Sequence, residues 1–532
     1  MTTSSRGATR PLGAQISHML KSRGVDTVFG IPGVHNQEMY RGIDEAGITH
    51  VLARHEQGAG FMADGYARAS GRPGVAYVIT GPGLCNIMTP IGQAYSDSVP
   101  LLVISSCLDE TAARRRQLHQ MKDQVGAGRC VADWSETALS PDAAYALIDR
   151  ALSEFETTRK RPKQLSVPIR VLEGEAQAAA PTRAVLARPV PSEDEIAAAA
   201  DALRGAKRPL IIAGGGARHA VEALNILRDR LGAAVMTTYA GRGIFPPDCP
   251  LFYGSFLMRP GSVDEIAKAD VVLAVGTELA EVDTWRGHLG HTDTMIRVDL
   301  DAEVLADQQR AEIPVAADSL LAVEALCDAL PDMQDSDWSA EQVAARRAGW
   351  RAEVDTRLPG IGAICGHLQN SLPPETMMFS DMTQFAYAAN EIWDMPRPGH
   401  WHHPSGFGTL GYALPAAIGG AVARSGLPTM CIAGDYGFQY TLPELGVAVE
   451  LGLPLPILLW DNGKLREIEQ HMISSQIAPK AVVARNPDFL ALARAYGAGA
   501  EQPDSLDALS GAILKAFKAD GPTLIRVTPD IA

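Results

Sequence analysis

Asp435 and Asn462 are the side chains of this sequence best suited to bind a divalent cation. Each follows a short apolar segment, residues 429–433 and 455–460, that is predicted to be a β-strand. The carboxyl ends of parallel strands share one edge of a sheet, where open α/β sheets bind ligands. Mg²⁺ prefers oxygen ligands and keeps positions for phosphate oxygens. We therefore predict that Asp435, Asn462 and the backbone carbonyl of Lys464 bind Mg²⁺ and a diphosphate; the alternative is that they only form turns after strands.

Glu56 is a candidate for proton transfer. It lies in the sequence RHEQGA (residues 54–59), after an apolar segment at 50–52 and before a predicted helix at 59–69 with small residues on one face. Small side chains would let a cofactor or another helix approach closely, and a carboxyl placed there could take part in proton transfer. The alternative is a carboxylate that stabilises the positive end of the helix dipole.

Composition restricts the class of partner. The 532 residues are 46% hydrophobic and 20% charged, as in ordinary globular proteins, and the net charge of −15 disfavours a nucleic-acid partner. The seven cysteines contain no CxxC pair, which argues against a zinc site or a disulfide framework. No segment reaches the roughly 20 apolar residues of a membrane span, and residues 1–10 lack the apolar core of a secretory signal. We therefore expect a cytoplasmic protein with no membrane partner.

Short apolar segments alternate with amphipathic ones along the chain, which indicates parallel sheets covered by helices. Two stretches break this rhythm: the Ala- and Pro-rich residues 178–191 and the polar residues 331–338. We predict an α/β fold with three doubly wound parallel-sheet domains, and we expect their bounds at 10–178, 190–332 and 350–530.

The segment around Asp435 and Asn462 resembles the diphosphate-binding motif of thiamine diphosphate enzymes, in which GDG is followed at this distance by NN. Tyr436 stands in place of the second glycine and Asp461 in place of the first asparagine, so Gly437 would supply the close approach to the phosphates. The resemblance covers nearly the whole chain and follows the order of the acetolactate synthase and pyruvate decarboxylase group. It implies pyrimidine-binding, central and diphosphate-binding domains, with thiamine diphosphate and Mg²⁺ as cofactors.

The same resemblance assigns roles to other residues. Glu56 would protonate the aminopyrimidine ring of the cofactor. Leu410 would be the apolar wedge that bends the cofactor, and the Gly408 carbonyl would accept a hydrogen bond from its 4′-amino group. The further cofactor contacts implied are Thr80, Gly81, Pro82, Asn86, Thr383, Gln384, Thr409, Tyr436 and Gly437. In this group the cofactor lies between subunits, so Glu56 and Asp435 would meet only across the interface of a homodimer or homotetramer.

The cofactor of this family acts on the carbonyl of a 2-oxo acid, and after CO₂ leaves, the product is released as an aldehyde or joined to a second carbonyl compound. The loop GIPGVHN (residues 30–36) matches the family loop that reaches the substrate, with Val34 as a contact and His35 as a proton donor or as a polar group that recognises the substrate. His119 and Gln120 lie where related decarboxylases place active-site residues. Together these motifs are most similar to 2-ketoarginine (5-guanidino-2-oxopentanoate) decarboxylases, which implies non-oxidative decarboxylation. A structural role is the alternative for His35.

A substrate with a guanidinium group needs a carboxylate at the far end of its pocket. Glu467 and Glu469 follow the predicted metal segment at the start of a predicted helix. We take both as candidates for this contact. The alternative for both is a solvent-exposed helix face beside Arg466.

Three other functions stay open from the sequence. One is a carboligase of acetolactate synthase or aldehyde lyase type; acetolactate synthases bind FAD, but residues 276–283 lack their Arg- and Asp-rich pattern, so we expect no FAD. A second is a nicotinamide-dependent oxidoreductase built on residues 210–216, which lack a convincing GxGxxG sequence. A third is a non-catalytic thiamine-binding subunit, which the intact Glu56, Asp435 and Asn462 disfavour.

Overall fold

The computed structural model describes residues 9–109, 116–330, 332–483 and 485–531. Residues 1–8 of the segment tested for a secretory signal, and Pro331 in the second predicted linker, lie outside the described residues. Three six-stranded sheets form along the chain, and neighbouring strands within each are parallel. This confirms the predicted fold class. Among the described residues, none of the helices combines the length and the apolar character needed to cross a bilayer.

The N-terminal sheet is covered by helices on both faces. The strands of this part are β1 (Arg10–Pro11), β2 (Thr27–Gly30), β3 (Thr49–Leu52), β4 (Gly74–Val78), β5 (Leu101–Cys107), β6 (Trp134–Thr137), β7 (Lys163–Pro168) and β8 (Glu175–Ala176). The helices are α1 (Leu12–Ser22), α2 (Gln37–Ala46), α3 (Glu56–Ser70), α4 (Pro82–Ser96), α5 (Gln124–Arg129), α6 (Pro141–Thr157) and α7 (Ile169–Glu173). The strand order is β3-β2-β4-β5-β7-β6. β5 is buried along its whole length, as expected for a central parallel strand.

The central sheet has the order β11-β10-β9-β12-β13-β14. Its strands are β9 (Pro209–Ala213), β10 (Ala234–Thr237), β11 (Phe252–Gly254), β12 (Val271–Val275), β13 (Thr294–Asp299) and β14 (Ile313–Ala316). Its helices are α8 (Glu193–Gly205), α9 (Val221–Leu231), α10 (Ser262–Ile266), α11 (Glu281–Thr284), α12 (Ala302–Leu305) and α13 (Ser319–Ala329). Numbered within the sheet, this is the 3-2-1-4-5-6 order of dinucleotide-binding folds.

The C-terminal sheet has the order β16-β15-β17-β18-β20-β19. Its strands are β15 (Met377–Ser380), β16 (Trp401–His402), β17 (Thr429–Gly434), β18 (Pro456–Trp460), β19 (Gly499–Glu501) and β20 (Thr523–Val527). The helices are α14 (Ala340–Arg357), α15 (Ile361–Ser371), α16 (Gln384–Ile392), α17 (Ala413–Ala423), α18 (Asp435–Tyr440), α19 (Leu445–Glu450), α20 (Arg466–Ser474), α21 (Phe489–Ala495) and α22 (Leu506–Ala516). Residues 177–192 and 332–339, which lie between the sheets, form neither helix nor strand.

The N-terminal and C-terminal sheets share one topology. Numbered within each sheet, both read 2-1-3-4-6-5. β4 therefore corresponds to β17, and the loop with Thr80 and Gly81 after β4 corresponds to the segment that begins at Asp435. The sequence shows only a shared βα rhythm because equal topology leaves no repeated residue pattern.

Helices α3 and α17 join these two domains within the chain. A Cβ atom on Gly65 would lie 1.9 Å from the carbonyl oxygen of Ala416, and one on Gly419 would lie 1.8 Å from that of Met62. Only glycine permits such close backbone contact. The small-residue face predicted for α3 therefore binds another helix.

The segment after β17 differs from the prediction. The composition of GDYG is typical of a turn, but α18 begins at Asp435 itself. A 3₁₀ turn, Leu442–Glu444, then leads into α19. Gly434 precedes α18 in an extended conformation, which places Asp435 in the first helical turn directly at the edge of the sheet.

Candidate active site

Asp435 and Asn462 lie together at the carboxyl edge of the C-terminal sheet. They follow the neighbouring strands β17 and β18, and the N–H of Gly463 donates to Asp435 Oδ2 at 2.8 Å. The N–H of Lys464 donates to Asn462 Oδ1 at 3.2 Å. Asp435 is 3% exposed, and burial raises the pKa of its carboxyl. The loop 461–464 thus holds both predicted cation ligands in one place.

This donor set suits a cation that also takes oxygens from a ligand. Within the described residues, no group of three or more His, Cys, Asp or Glu side chains could hold a metal ion. One carboxylate, one amide and one backbone carbonyl leave coordination positions open, as Mg²⁺ sites that bind phosphates do.

Asn486 holds the two acids of this site, and the sequence analysis did not identify it. Its Nδ2 donates to Asp435 Oδ2 at 2.7 Å and to Asp461 Oδ1 at 2.9 Å. Asp461 Oδ2 also accepts a hydrogen bond from Arg526 Nε at 2.7 Å. Asp461, which replaces an asparagine of the family motif, is therefore balanced by a cation. Asn486 lies in an irregular segment without a motif, so no sequence signal marks it.

Thr383 and Gln384 lie beside the cation ligands at the start of α16. Thr383 is the N-cap residue, but its side chain makes no capping hydrogen bond. A Cβ atom on Gly434 would lie 2.9 Å from Thr383 Oγ1. Gln384 Oε1 accepts a hydrogen bond from Asn462 Nδ2 at 3.4 Å. Because an uncapped helix N-terminus attracts anions, these two predicted phosphate contacts occupy a suitable position.

Asp381 anchors two loops beneath the site. The N–H groups of Gly411 and Met382 donate to its carboxylate, each at 2.9 Å. Burial raises the pKa of Asp381 to about 6, and the backbone N–H groups oppose this shift. A Cβ atom on Gly437 would lie 2.5 Å from Asp381 Oδ2, so Gly437 is needed to admit this carboxyl. Tyr436 is partly exposed, and a phosphate contact by either residue stays a prediction.

Gly408, Thr409 and Leu410 are held by a helix of the N-terminal domain. Gly408 has a φ of 67°, which favours glycine. Thr409 Oγ1 donates to Gln93 Oε1 at 2.8 Å, and Gln93 Nε2 donates to Asp97 Oδ2 at 2.7 Å, both on or next to α4. Leu410 is only partly buried, which leaves apolar surface for a ligand. No sequence signal marks Gln93, since its partner lies 316 positions away.

Glu56 is the first residue of α3 and is 9% exposed. Its Oε2 accepts a hydrogen bond from Asn86 Nδ2 at 2.8 Å. The structure thus brings together two residues that were predicted from separate motifs, and Asn86 fixes the orientation of the carboxyl.

The loop after β4 is fixed from below by polar side chains. Thr80 Oγ1 donates to Ser106 Oγ at 2.8 Å, and the N–H of Gly81 donates to Gln124 Oε1 at 3.1 Å. Gly81 has a φ of 69°. Pro82 is the first residue of α4, a position that suits proline because the N–H there has no helical partner.

His35 and His119 meet from two loops of the N-terminal domain. Their ring centroids are 5.0 Å apart, and the Nδ1 atoms of both are buried with no hydrogen-bond partner in the described part of the chain. Burial, and then the neighbouring His119, lower the pKa of His35. A Cβ atom on Gly81 would lie 2.3 Å from the His119 carbonyl oxygen, so the pair lies beside the loop predicted to contact the pyrimidine. Both rings therefore have nitrogen atoms available to a ligand.

Val34 and Gln120 flank this histidine pair. Val34 is 62% exposed. Gln120 Oε1 accepts a hydrogen bond from the N–H of Gln117 at 3.2 Å, which closes the turn that carries His119. The geometry gives Gln120 a structural contact; a catalytic role for it stays a prediction.

Glu467 and Glu469, both on α20, differ in their partners. Lys464 Nζ donates to both oxygens of Glu469, at 3.0 and 2.9 Å. Glu467 Oε1 is buried and has no hydrogen-bond partner among the described residues. Burial raises the pKa of Tyr387, and the nearby charges of Glu467 and Asp381 add to this effect. Glu467 therefore lies close to the loops of the candidate site with a carboxylate oxygen free for a ligand.

The glycines after β9 serve internal packing. A Cβ atom on Gly214 would lie 2.4 Å from the Gly276 carbonyl oxygen, and one on Gly216 would lie 3.0 Å from Gly276 Cα. The loops after β9 and β12 are in close contact at the point where the strand order reverses, and this contact explains the Gly-rich sequence. Nucleotide binding is not needed to explain these glycines. The expected lack of FAD stays a prediction.

Comparisons with known proteins agree with this arrangement. Three family models of thiamine pyrophosphate enzymes match the chain: the N-terminal TPP binding domain at residues 10–127, the central domain at 196–326 and the C-terminal TPP binding domain at 381–527.

Similarity to individual proteins extends over almost the full length. The chain is 44% identical to the probable 2-ketoarginine decarboxylase AruI of Pseudomonas aeruginosa, covering 98% of this chain and 94% of that protein. It is 28% identical to the large subunit of acetolactate synthase isozyme 2 of Escherichia coli, covering 97% and 95%. It is 27% identical to the mitochondrial acetolactate synthase catalytic subunit of Saccharomyces cerevisiae, covering 100% and 82%. The matched domains, their order and the site at their sheet edges lead to one conclusion: this chain belongs to the thiamine pyrophosphate enzymes.

Proposed function

We propose that this chain is a thiamine diphosphate- and Mg²⁺-dependent decarboxylase that converts 5-guanidino-2-oxopentanoate to an aldehyde and CO₂. The observation that carries this proposal is the Glu467 carboxylate, which has a buried oxygen without a partner in the described part of the chain and lies near Tyr387 of α16. A guanidinium group would supply the missing partner in a charge-assisted, bidentate contact. The relative with 44% identity is named a probable 2-ketoarginine decarboxylase, which supports the same substrate.

The cofactor would lie at the edge of the C-terminal sheet. Asp435, Asn462 and the Lys464 carbonyl would hold Mg²⁺, and Thr383 with Gln384 at the start of α16 would contact the diphosphate. When bound, the cofactor supplies the carbanion that acts on the substrate carbonyl and takes up the electron pair left by CO₂.

Residues of the N-terminal domain would carry out the proton transfers. Glu56, oriented by Asn86, would exchange a proton with the aminopyrimidine ring. His35 and His119 would bind the substrate carboxylate and deliver the proton that releases the aldehyde, since the Nδ1 atom of each ring has no partner in the described residues.

A second copy of the chain would complete the site. Large apolar residues that are at least half exposed occur on both candidate halves: Val34, Leu118, Phe407, Tyr440, Ile468, Ile473, Ile477 and Val483. α20 has no buried residue. We infer a homodimer in which Glu56 of one subunit faces Asp435 of the partner subunit, and these exposed apolar side chains support the presence of an interaction surface. We also keep the domain bounds 10–178, 190–332 and 350–530 as part of the proposal, since each range contains one six-stranded sheet.

A CO₂-release screen tests this function. The purified chain with thiamine diphosphate and Mg²⁺ is given 5-guanidino-2-oxopentanoate, 2-oxohexanoate as an analogue whose side chain is uncharged, pyruvate, benzoylformate and branched-chain 2-oxo acids. We expect the highest kcat/KM with the guanidino acid and an aldehyde as the product. Preference for the uncharged analogue would refute the substrate assignment, and a ligated product from pyruvate would favour the carboligase.

A further inference from the structure

Glu444, in the C-terminal domain, is hydrogen-bonded to the backbone directly before Glu56. Its carboxylate accepts the N–H of Arg54 at 3.1 Å and the N–H of His55 at 3.0 Å. Glu444 is 1% exposed, and burial raises the pKa of its carboxyl to about 7 while the two N–H groups oppose the shift. Glu444, a buried acid of the C-terminal domain, is therefore hydrogen-bonded to the segment of the N-terminal domain that carries Glu56.

Gly58 makes room for this contact. A Cβ atom on Gly58 would lie 2.1 Å from Glu444 Oε1, so any other residue at position 58 would displace the carboxyl. At the more exposed edge of the same contact, the Arg54 guanidinium pairs with Glu450. The glycine of the RHEQGA sequence therefore admits Glu444.

The contact fixes how the chain enters α3. The N–H groups at the start of a helix have no helical carbonyl to bond and need other acceptors. His55 is the N-cap residue, and its ring accepts the N–H of Gln57. Glu444 binds the N–H groups just before this turn. A shift of the backbone ahead of Glu56 would leave buried polar groups unpaired, which is unfavourable.

We propose that Glu444 is a positioning residue for proton transfer: by binding the peptide groups of Arg54 and His55, it holds Glu56 in the orientation that reaches the aminopyrimidine ring. This inference rests on the proposed function. Glu444 lies 444 − 435 = 9 positions after Asp435 on one continuous segment. The diphosphate-binding domain thus orients the proton-transfer acid of its own chain.

Amide hydrogen exchange of the cofactor-free protein tests the contact itself. In Glu444→Ala, the peptide that contains residues 52–58 should exchange faster than in the wild type. The matched control is Glu450→Ala, which removes only the exposed ion pair to Arg54 and should leave this exchange unchanged. Equal protection of the peptide in Glu444→Ala and the wild type would overturn the proposal.

Exchange of the C2 proton of bound thiamine diphosphate, followed by NMR at saturating cofactor, tests the effect on Glu56. Glu444→Ala should slow it about 10- to 100-fold, as expected for a misplaced catalytic group, while cofactor still binds in calorimetry. Glu444→Gln, which keeps an acceptor oxygen, should retain most of the rate. If the alanine variant does not fold, Glu444→Asp, with a carboxylate drawn back by one methylene, replaces it and should also be slow. A wild-type rate in the folded alanine or aspartate variant would overturn the proposal, whereas a wild type that binds no cofactor would overturn the proposed function instead.

Discussion

Glu467 and Glu469 lie two positions apart on α20, but they differ in their hydrogen-bond partners. Lys464 neutralises Glu469 through two hydrogen bonds, while Glu467 keeps a buried oxygen without a partner in the described residues. The sequence could not separate the two, because both are acidic residues at the start of one helix. Only the position of the Lys464 ammonium group selects Glu467 as the candidate for substrate binding.

Substitution of these two glutamates tests the assignment. Glu467→Gln should raise KM for 5-guanidino-2-oxopentanoate about 10- to 100-fold, because it removes a charged hydrogen-bond partner. It should leave kcat/KM for 2-oxohexanoate nearly unchanged. Glu469→Gln is the matched control and should spare the preference for the guanidino substrate. Steady-state kinetics with both substrates checks this, and an unchanged KM in Glu467→Gln would remove the residue from this role.

At the scale of elements, the strands that end at the site could be predicted and the contacts between loops could not. β17 and β18 were evident as apolar segments followed by GD and DN, so Asp435 and Asn462 were located correctly at the edge of one sheet. The start of α18 at Asp435 was missed, because GDYG has the composition of a turn. Asn486 was also missed, since its hydrogen bonds depend on how an irregular segment folds back.

Removal of the cation ligand on α18 tests the metal assignment. Asp435→Ala should weaken Mg²⁺-dependent cofactor binding at least on the order of 100-fold, the upper end of what loss of an outer-shell partner costs. Chelation of Mg²⁺ from the wild type should release the cofactor in the same way. Asp461→Asn, which restores the family asparagine, should bind cofactor close to wild-type affinity in calorimetry. Normal cofactor retention in Asp435→Ala would contradict the assignment.

At the scale of the whole molecule, a buried ionic network ties the N-terminal domain to the C-terminal domain. Arg68 Nε donates to Asp64 Oδ1 at 2.7 Å, and Arg68 NH2 donates to Asp97 Oδ2 at 2.8 Å. Asp64 accepts the Tyr412 hydroxyl at 2.8 Å, and Asp97 accepts the N–H of Gly406 at 2.8 Å, both from the C-terminal domain. No sequence pattern predicts the two contacts between the domains, because their members are 348 and 309 positions apart.

Loss of the central cation should destabilise the protein. Arg68→Met leaves two buried carboxylates without their partner, which should lower the free energy of unfolding by about 3–5 kcal/mol. Arg72→Met removes an exposed ion pair with Asp26 and should change the free energy of unfolding by less than about 0.5 kcal/mol. Denaturant unfolding of both variants makes the comparison, and equal stabilities would show that the network does not stabilise the domain contact.

The central claim, that each active site combines Glu56 of one subunit with Asp435 of the partner subunit, is tested most directly by mixing two inactive variants. Glu56→Gln and Asp435→Ala are each expected to be almost inactive alone. After subunit exchange, random mixing should restore about a quarter of wild-type activity, because half of the dimers are mixed and each of these holds one intact site. Mixed dimers of verified composition that stay inactive would contradict the account, since both residues would then serve a site within one chain.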